Sequence, residues 1–276
     1  MGQTLFIVWR ESVEALLVVG ILYAWLKNGD ESARRGLPYL WTGVVLGVLA
    51  AIGLGVVLVG FAEILSGEAQ DYFQMGMVFV ACVLIVQMVL WMQRHGKTLK
   101  REIEQSLQQH TRAANWWGIV VLVALAIARE GSETVIFLYG MGFGRSGHVG
   151  GAQWLAVFMG LGLAFLTFYV LQLGGKFFSW RSFFRVTEIM LLFLSAGLFQ
   201  TGVDKLIDME ILPTGVFQVW NTSALLDDSS PFGAFISSLT GYRAHPSLAN
   251  VLAYALYWIV VYLLVRRPAP LMRRAA

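Results

Sequence analysis

Charged residues are scarce in this chain. Only 13% of its 276 residues are Asp, Glu, Lys or Arg, and 57% are hydrophobic, whereas a soluble domain carries about 25% charged residues. This shortage excludes an ordinary soluble domain. The single cysteine, Cys82, excludes an intramolecular disulfide. The N-terminal segment also lacks the basic region of a cleavable signal peptide, and an Arg-Glu pair interrupts its apolar run.

The chain contains long runs of apolar residues. Seven of them approach the ~20 residues that an α-helix needs to cross a bilayer. They predict transmembrane helices at residues 4–26, 37–61, 72–93, 116–139, 152–174, 183–203 and 248–265. The prediction is an all-α polytopic membrane protein in which residues 1–276 form a single membrane domain.

The basic residues predict an orientation. Of the 20 Lys and Arg residues, 15 fall on one side of the predicted helices and three on the other, while Arg10 and Arg129 lie within helices. Cytoplasmic segments carry the excess of Lys and Arg. We therefore expect an inner (cytoplasmic) membrane protein with its N-terminus outside and its C-terminus in the cytoplasm. This segregation explains the pI of about 9.1 without a nucleic-acid partner.

The predicted connections and helix contacts add detail. Residues 96–114 combine charges with an apolar stripe and predict a cytoplasmic helix lying on the inner leaflet. Residues 204–247 mix apolar patches with Pro and Gly and predict an outer loop that contains short helices. Small residues mark close helix contacts in membranes, so five glycines are expected at such contacts: Gly43, Gly47, Gly53, Gly160 and Gly162.

Two R-E-x-x-E motifs place charge inside predicted helices. They read Arg10-Glu11-Ser12-Val13-Glu14 and Arg129-Glu130-Gly131-Ser132-Glu133. A charged residue at the centre of a membrane helix costs about 2.5–3.5 kcal/mol, so these six must face one another, water or a bound ion. Within each motif the two glutamates share one helix face, and the arginine can pair with the glutamate four positions later.

The two motifs together predict a metal site. They offer four carboxylates and two guanidinium groups, a formal charge of −2, and oxygen ligands of this kind suit Fe, Mn, Mg or Ca. No His or Cys lies near either motif, which argues against Zn and Cu. The predicted metal ligands are Glu11, Glu14, Glu130 and Glu133, with Arg10 and Arg129 balancing their charge. The alternative is a pair of buried salt bridges that only fix helix packing, and the surplus carboxylate in both motifs favours the metal site.

The predicted topology allows the motifs to meet. The first helix runs inward and the fourth outward, so the two motifs can lie at the same depth in antiparallel helices. Together with the division of the first six helices into two sets of three, this predicts an inverted repeat followed by a seventh helix, with the site at the repeat interface.

Three further acidic residues are candidate ligands on the path of a cation. Glu188, near the inner end of the sixth predicted helix, is either a ligand on the exit side or a side chain that reaches the cytoplasmic surface. Asp227 and Asp228 lie in the predicted outer loop, where acidic residues would attract cations to the entrance. The alternative is that outer segments only lack basic residues for topological reasons.

At its two motifs the chain resembles the iron/lead permease family, which comprises the oxidase-dependent high-affinity iron permeases of fungi and the EfeU-type bacterial iron permeases. That family carries R-E-x-x-E in the first and fourth of seven transmembrane helices. The resemblance extends over the whole chain, including the stretch Ser195-Ala196-Gly197-Leu198, Gly241-Tyr242 and Pro246-Ser247. Ser12 stands where the family often has glycine, and Glu188 has no counterpart in the family pattern.

The resemblance implies uptake of Fe2+ or Fe3+, with the four motif glutamates as the metal site. It implies no cofactor besides the transported ion, and a periplasmic iron-binding, ferroxidase or peroxidase protein as partner. Two alternatives stay open: a permease for another divalent cation such as lead or manganese, and a membrane iron sensor or assembly factor that binds without transport. An enzyme is disfavoured because no nucleophile–base pair accompanies the carboxylates.

Overall fold

A computed structural model describes residues 2–29, 31–95, 116–143, 150–173 and 180–266. Within these residues the regular structure is helical and contains no strand. In chain order the helices are α1 (Gly2–Asn28), α2 (Glu31–Arg34), α3 (Leu37–Ile64), α4 (Glu68–His95), α5 (Trp116–Gly140), α6 (Gly151–Leu173), α7 (Trp180–Asp208), α8 (Pro231–Thr240) and α9 (Leu248–Arg266). Seven of them overlap the seven predicted spans. The helix expected at residues 96–114 lies entirely outside the described residues.

Among the described residues, five helices are long and apolar enough to cross a membrane: α3, α4, α6, α7 and α9. The helices α1 and α5 are of similar length, but each carries the three charges of one motif. The surface of α3 fits a lipid environment, because Leu49, Ile52 and Val56 are all more than half exposed. A continuous apolar surface of this kind would be unfavourable in water.

The described chain divides into two compact units. The first comprises Met1–Ala81 and Thr98–Ile189, and the second comprises Cys82–Lys97 and Met190–Ala276. Both motifs belong to the first unit. Residues 209–247, which include α8, belong to the second unit together with α9.

In the first unit, α3 packs along α5 through glycine. A Cβ atom on Gly43 would lie 2.7 Å from the Cβ of Val123 and 2.8 Å from the carbonyl oxygen of Val120. A Cβ atom on Gly47 would likewise lie 2.7 Å from the Cβ of Ile127 and 2.8 Å from the carbonyl oxygen of Ala124. The backbones approach this closely because glycine has no side chain.

The helix α1 packs along α6 in a similar manner. A Cβ atom on Gly160 would lie 2.9 Å from the carbonyl oxygen of Leu5 and 3.0 Å from the Cβ of Val8. The indole nitrogen of Trp9 donates a hydrogen bond to the hydroxyl of Thr167, at 2.9 Å. The helix that carries the first motif is therefore fixed by both packing and a polar contact.

The prediction for two of the five glycines is wrong. Within the described residues, nothing lies within 4 Å of a Cβ atom placed on Gly53 or on Gly162. These glycines lie on helix faces that no described helix approaches, and their small size alone could not distinguish them from Gly43, Gly47 and Gly160.

This difference gives a matched test of the helix contact. We expect Gly47→Ala to destabilise the protein by about 1–3 kcal/mol, the usual cost of overpacking, because the new methyl group meets the backbone of α5. On the same helix, Gly53→Ala should be neutral or stabilising by up to about 1 kcal/mol, because alanine is the better helix former. Thermal unfolding in detergent measures both. Equal effects of the two substitutions would contradict the packing described here.

In the second unit, a polar network joins the end of α7 to residues 209–247 and to α9. Asp204 accepts hydrogen bonds from Arg243 at 2.5 Å and from the side-chain amide of Asn250 at 2.6 Å. The Gln200 amide donates to the carbonyl oxygen of Asn250 at 2.8 Å. In α8, Ser230 caps the N-terminus and Gly241 ends the helix at a φ of 74°, a conformation that favours glycine.

Candidate metal site

Three glutamates from the two motifs converge inside the first unit. One carboxylate oxygen from each of Glu11, Glu14 and Glu130 can be chosen so that all three lie within 4.8 Å of one another. Two of the residues come from α1, where a spacing of three places them on one face, and the third comes from α5. The structure thus brings together residues that are more than a hundred positions apart in the chain.

The first arginine is buried completely between its own two glutamates. Arg10 is 0% exposed and its Nη1 atom lies 2.8 Å from Oε1 of Glu11. Its Nη2 atom pairs with Glu14. The Arg10–Glu14 pair follows from the spacing of four, whereas no spacing rule for helices predicts the contact with the adjacent Glu11. Arg10 reaches both carboxylates because its guanidinium group presents several donors in one plane.

The second arginine has different surroundings. Its Nε atom lies 3.0 Å from Oε1 of Glu133, the pair expected from the spacing of four, but the Arg129 side chain is 43% exposed. Glu133 is not a member of the group of three glutamates found among the described residues. Its charge still interacts with those of Glu11, Glu14 and Glu130, so it lies at the edge of the same electrostatic cluster.

Several carboxylate oxygens in the cluster accept no hydrogen bond within the described structure. Oε2 of Glu11, of Glu130 and of Glu133 are all buried without a hydrogen-bond donor. Buried polar atoms normally have a partner, and a buried carboxylate oxygen without one is unfavourable. These atoms are well suited to bind a cation.

The glycine of the second motif has a packing role. A Cβ atom on Gly131 would collide with the Cβ of Ala51 in α3. Glycine at this position therefore allows α5 to approach α3 directly beside Glu130. Ser12 occupies the corresponding position of the first motif and lies on a partly exposed part of α1.

The remaining predicted ligands lie elsewhere. Glu188 is on α7, within the first unit, and its charge interacts with that of Glu14. Asp227 and Asp228 belong to the second unit and take part in the local structure of residues 209–247. Asp227 accepts hydrogen bonds from the hydroxyl and the backbone of Ser229, and these lower the pKa of its carboxyl group. Asp228 accepts the backbone N–H of Ala244 at 3.0 Å.

The apolar helices and the buried carboxylate cluster together define a multi-pass membrane protein of the ion-permease class. Comparison with known proteins then identifies its family. Residues 1–269 match the Iron permease FTR1 family, and the chain belongs to that family. The resemblance stated from the two motifs is confirmed. Members of this family are permeases and not enzymes, so iron uptake, and not catalysis, is the activity of this chain.

The relatives agree with this assignment. The chain is 28% identical over 255 residues to the ferrous iron permease EfeU of Escherichia coli O6:K15:H31 (strain 536), covering 92% of this chain and 91% of that protein. The same figures hold for the protein of that name from Shigella sonnei. A ferrous iron permease EfeU of Yersinia pestis is 25% identical over 264 residues, covering 95% and 92%. No solved structure matches the chain.

Proposed function

We propose that this chain imports ferrous iron through the site formed by Glu11, Glu14, Glu130 and Glu133. The observation that carries the proposal is the convergence of three of these carboxylates within 4.8 Å, with buried oxygens that accept no hydrogen bond. Carboxylate oxygens are suitable ligands for iron. Glu133 completes the set as a fourth carboxylate at the edge of the cluster.

The charge of the site supports the divalent ion. The four glutamates and two arginines carry a formal charge of −2, which a divalent cation neutralises. The relatives named above are ferrous iron permeases. Arg10, buried between Glu11 and Glu14, reduces the repulsion between the carboxylates when no ion is bound.

We also propose seven membrane spans, in which the first six helices form an inverted repeat of three and three and a seventh helix follows, and two features support the repeat. Glu14 lies fourteen residues before the last residue of α1, and Glu130 fourteen residues after the first residue of α5, which places each about 21 Å from one end of its helix. The helix contacts also correspond between the two sets of three long helices. The first helix of one set packs on the second helix of the other in both cases, since α1 packs on α6 and α5 packs on α3. With the N-terminus outside, both measured ends lie at the cytoplasmic face of the inner membrane.

The proposed path begins at residues 209–247, which are proposed to lie on the outer side of the membrane. Asp227 and Asp228 are the acidic residues proposed to attract cations to the entrance. A periplasmic iron-binding, ferroxidase or peroxidase protein is the proposed partner on this side. The transported ion is the only ligand that the site requires, and no cofactor is proposed.

Flux into liposomes tests the proposal. Purified protein reconstituted with an iron-sensitive dye inside the vesicles should transport Fe2+ supplied with ascorbate, and transport chelated Fe3+ much more slowly. Competition with Mn2+ and Pb2+ measures selectivity, and preferential transport of either would establish a permease for another divalent cation. Saturable iron binding without any flux would instead indicate a sensor or assembly factor.

A further inference from the structure

Glu188 is a carboxylate on α7 that neither motif includes. It lies eight residues after Trp180, the first residue of the helix, or about 12 Å along the axis. Its side chain is partly buried. Charged residues inside membrane helices face the protein interior or a water-filled cavity, so the surroundings of Glu188 indicate what it does.

The start of α7 packs against the helix of the first motif. The rings of Phe183 and Trp9 lie 5.5 Å apart, and Phe183 belongs to an apolar cluster with Val13 of α1, against which Phe184 also packs. Residues four apart share a helix face, so Glu188 lies one turn beyond Phe184 on the side of α7 that faces α1.

Glu188 is also electrostatically connected to the cluster. Its charge interacts with that of Glu14, which is one of the three converging glutamates. A separate observation indicates that the cluster binds a cation. Glu11 is only 1% exposed, and its Oε2 atom accepts no hydrogen bond within the described structure. A carboxylate on a third helix therefore lies within electrostatic range of the cluster.

The positions of the carboxylates along their helices indicate which of them lies nearest the proposed cytoplasmic side. Glu14 and Glu130 lie about 21 Å from the ends of α1 and α5 that are proposed to be cytoplasmic, whereas Glu188 lies about 12 Å from the corresponding end of α7. Of these carboxylates, Glu188 is the nearest to its cytoplasmic helix end.

We propose that Glu188 is a further ligand on the iron path, which receives Fe2+ from Glu14 on the inner side of the cluster. This inference rests on the proposed function. Two neighbouring carboxylates repel each other, and a cation passing between them removes that repulsion. Glu188 thus gives the ion a second negatively charged position and makes its departure from Glu14 easier.

Liposome flux of four variants tests this role. Glu188→Gln should lower Fe2+ flux by about tenfold, equivalent to about 1.4 kcal/mol, while equilibrium iron binding is retained. Glu188→Asp should restore most of the flux, because it keeps the charge. Glu130→Gln should abolish flux and weaken binding, and Glu63→Gln, at the exposed end of α3, should behave as the parent.

The outcomes separate the two proposals. If Glu188→Gln transports at the parent rate while Glu130→Gln does not, the role of Glu188 is overturned and the proposed function stands. If Glu130→Gln also transports at the parent rate, the proposed site itself fails. A loss of flux in Glu188→Gln that is accompanied by lower thermal stability, and that aspartate does not restore, indicates a structural role and overturns the inference.

Thiol accessibility provides a second measurement that a purely structural role would not affect. Cys82 is the only cysteine, so Cys82→Ala yields a background without thiols. In that background Glu188→Cys should react with a small cationic thiol reagent, and Fe2+ should slow the reaction. Val186→Cys, at a position that is 58% exposed, should show no effect of iron. Lack of reaction at position 188, or equal rates with and without iron, would overturn the inference.

Discussion

Replacing Glu130 with glutamine should reduce Fe2+ uptake by more than about 100-fold, and Glu14→Gln should do the same. Loss of an outer-shell partner of a metal ligand already costs about 10–100-fold, and these residues supply the converging oxygens themselves. Glutamine keeps the shape of the side chain but removes its charge. Uptake of radioactive iron in an iron-transport-deficient host, normalised to the amount of protein in the membrane, gives the measurement.

The same assay compares the contribution of Glu133 to uptake with that of the three converging glutamates. Glu133 pairs with the half-exposed Arg129 and lies outside the group of three, so Glu133→Gln should reduce uptake less than Glu130→Gln does. Glu63→Gln is the matched control, because it removes one carboxylate from an exposed position at the end of α3. Parent-level uptake by both Glu14→Gln and Glu130→Gln would show that the converging carboxylates do not carry iron.

The two arginines should respond very differently to the same substitution. Arg10→Gln leaves Glu11 and Glu14 without their buried cation, and breaking a buried ion pair costs about 3–5 kcal/mol. Arg129→Gln breaks a pair whose arginine is 43% exposed, so this charge is less enclosed by protein and its loss should cost less than the loss of Arg10. Thermal unfolding in detergent, together with the amount of protein in the membrane, compares them directly.

A lysine variant refines this comparison. Arg10→Lys keeps the charge but replaces a planar group of several donors with a single ammonium, which cannot hold both Glu11 and Glu14 in the same geometry. Its stability should lie between that of the parent and that of Arg10→Gln. Equal losses for Arg10→Gln and Arg129→Gln would contradict the asymmetry that the structure assigns to the two motifs.

The sequence was sufficient to predict the helices and their motifs, because bilayer length and charge cost leave few alternatives. It predicted the pairs Arg10–Glu14 and Arg129–Glu133 through their spacing of four. The positions of the helix ends were predicted less accurately, since α7 extends to Asp208, five residues beyond the predicted span. Hydropathy changes at the first charged residues, whereas backbone hydrogen bonds continue past them into the polar region.

The different burial of the two motif arginines could not be predicted from the sequence. Both motifs read R-E-x-x-E, yet Arg10 is completely buried and Arg129 is half exposed, because burial depends on which neighbouring helices cover each one. The difference between Gly47 and Gly53, both on α3, has the same cause. Glu188 was recognised as a candidate by its charge, but its position beside α1 follows from the packing of Phe183 and Phe184.

A structure of the protein with iron bound, located by anomalous scattering at the iron edge, tests the central claim most directly. We expect one iron ion among Glu11, Glu14 and Glu130, with at least three carboxylate oxygens at about 2.0–2.2 Å, the usual metal–oxygen distances for small divalent ions. Iron bound only within residues 209–247, or anywhere in the molecule without contact to these three glutamates, would contradict this expectation.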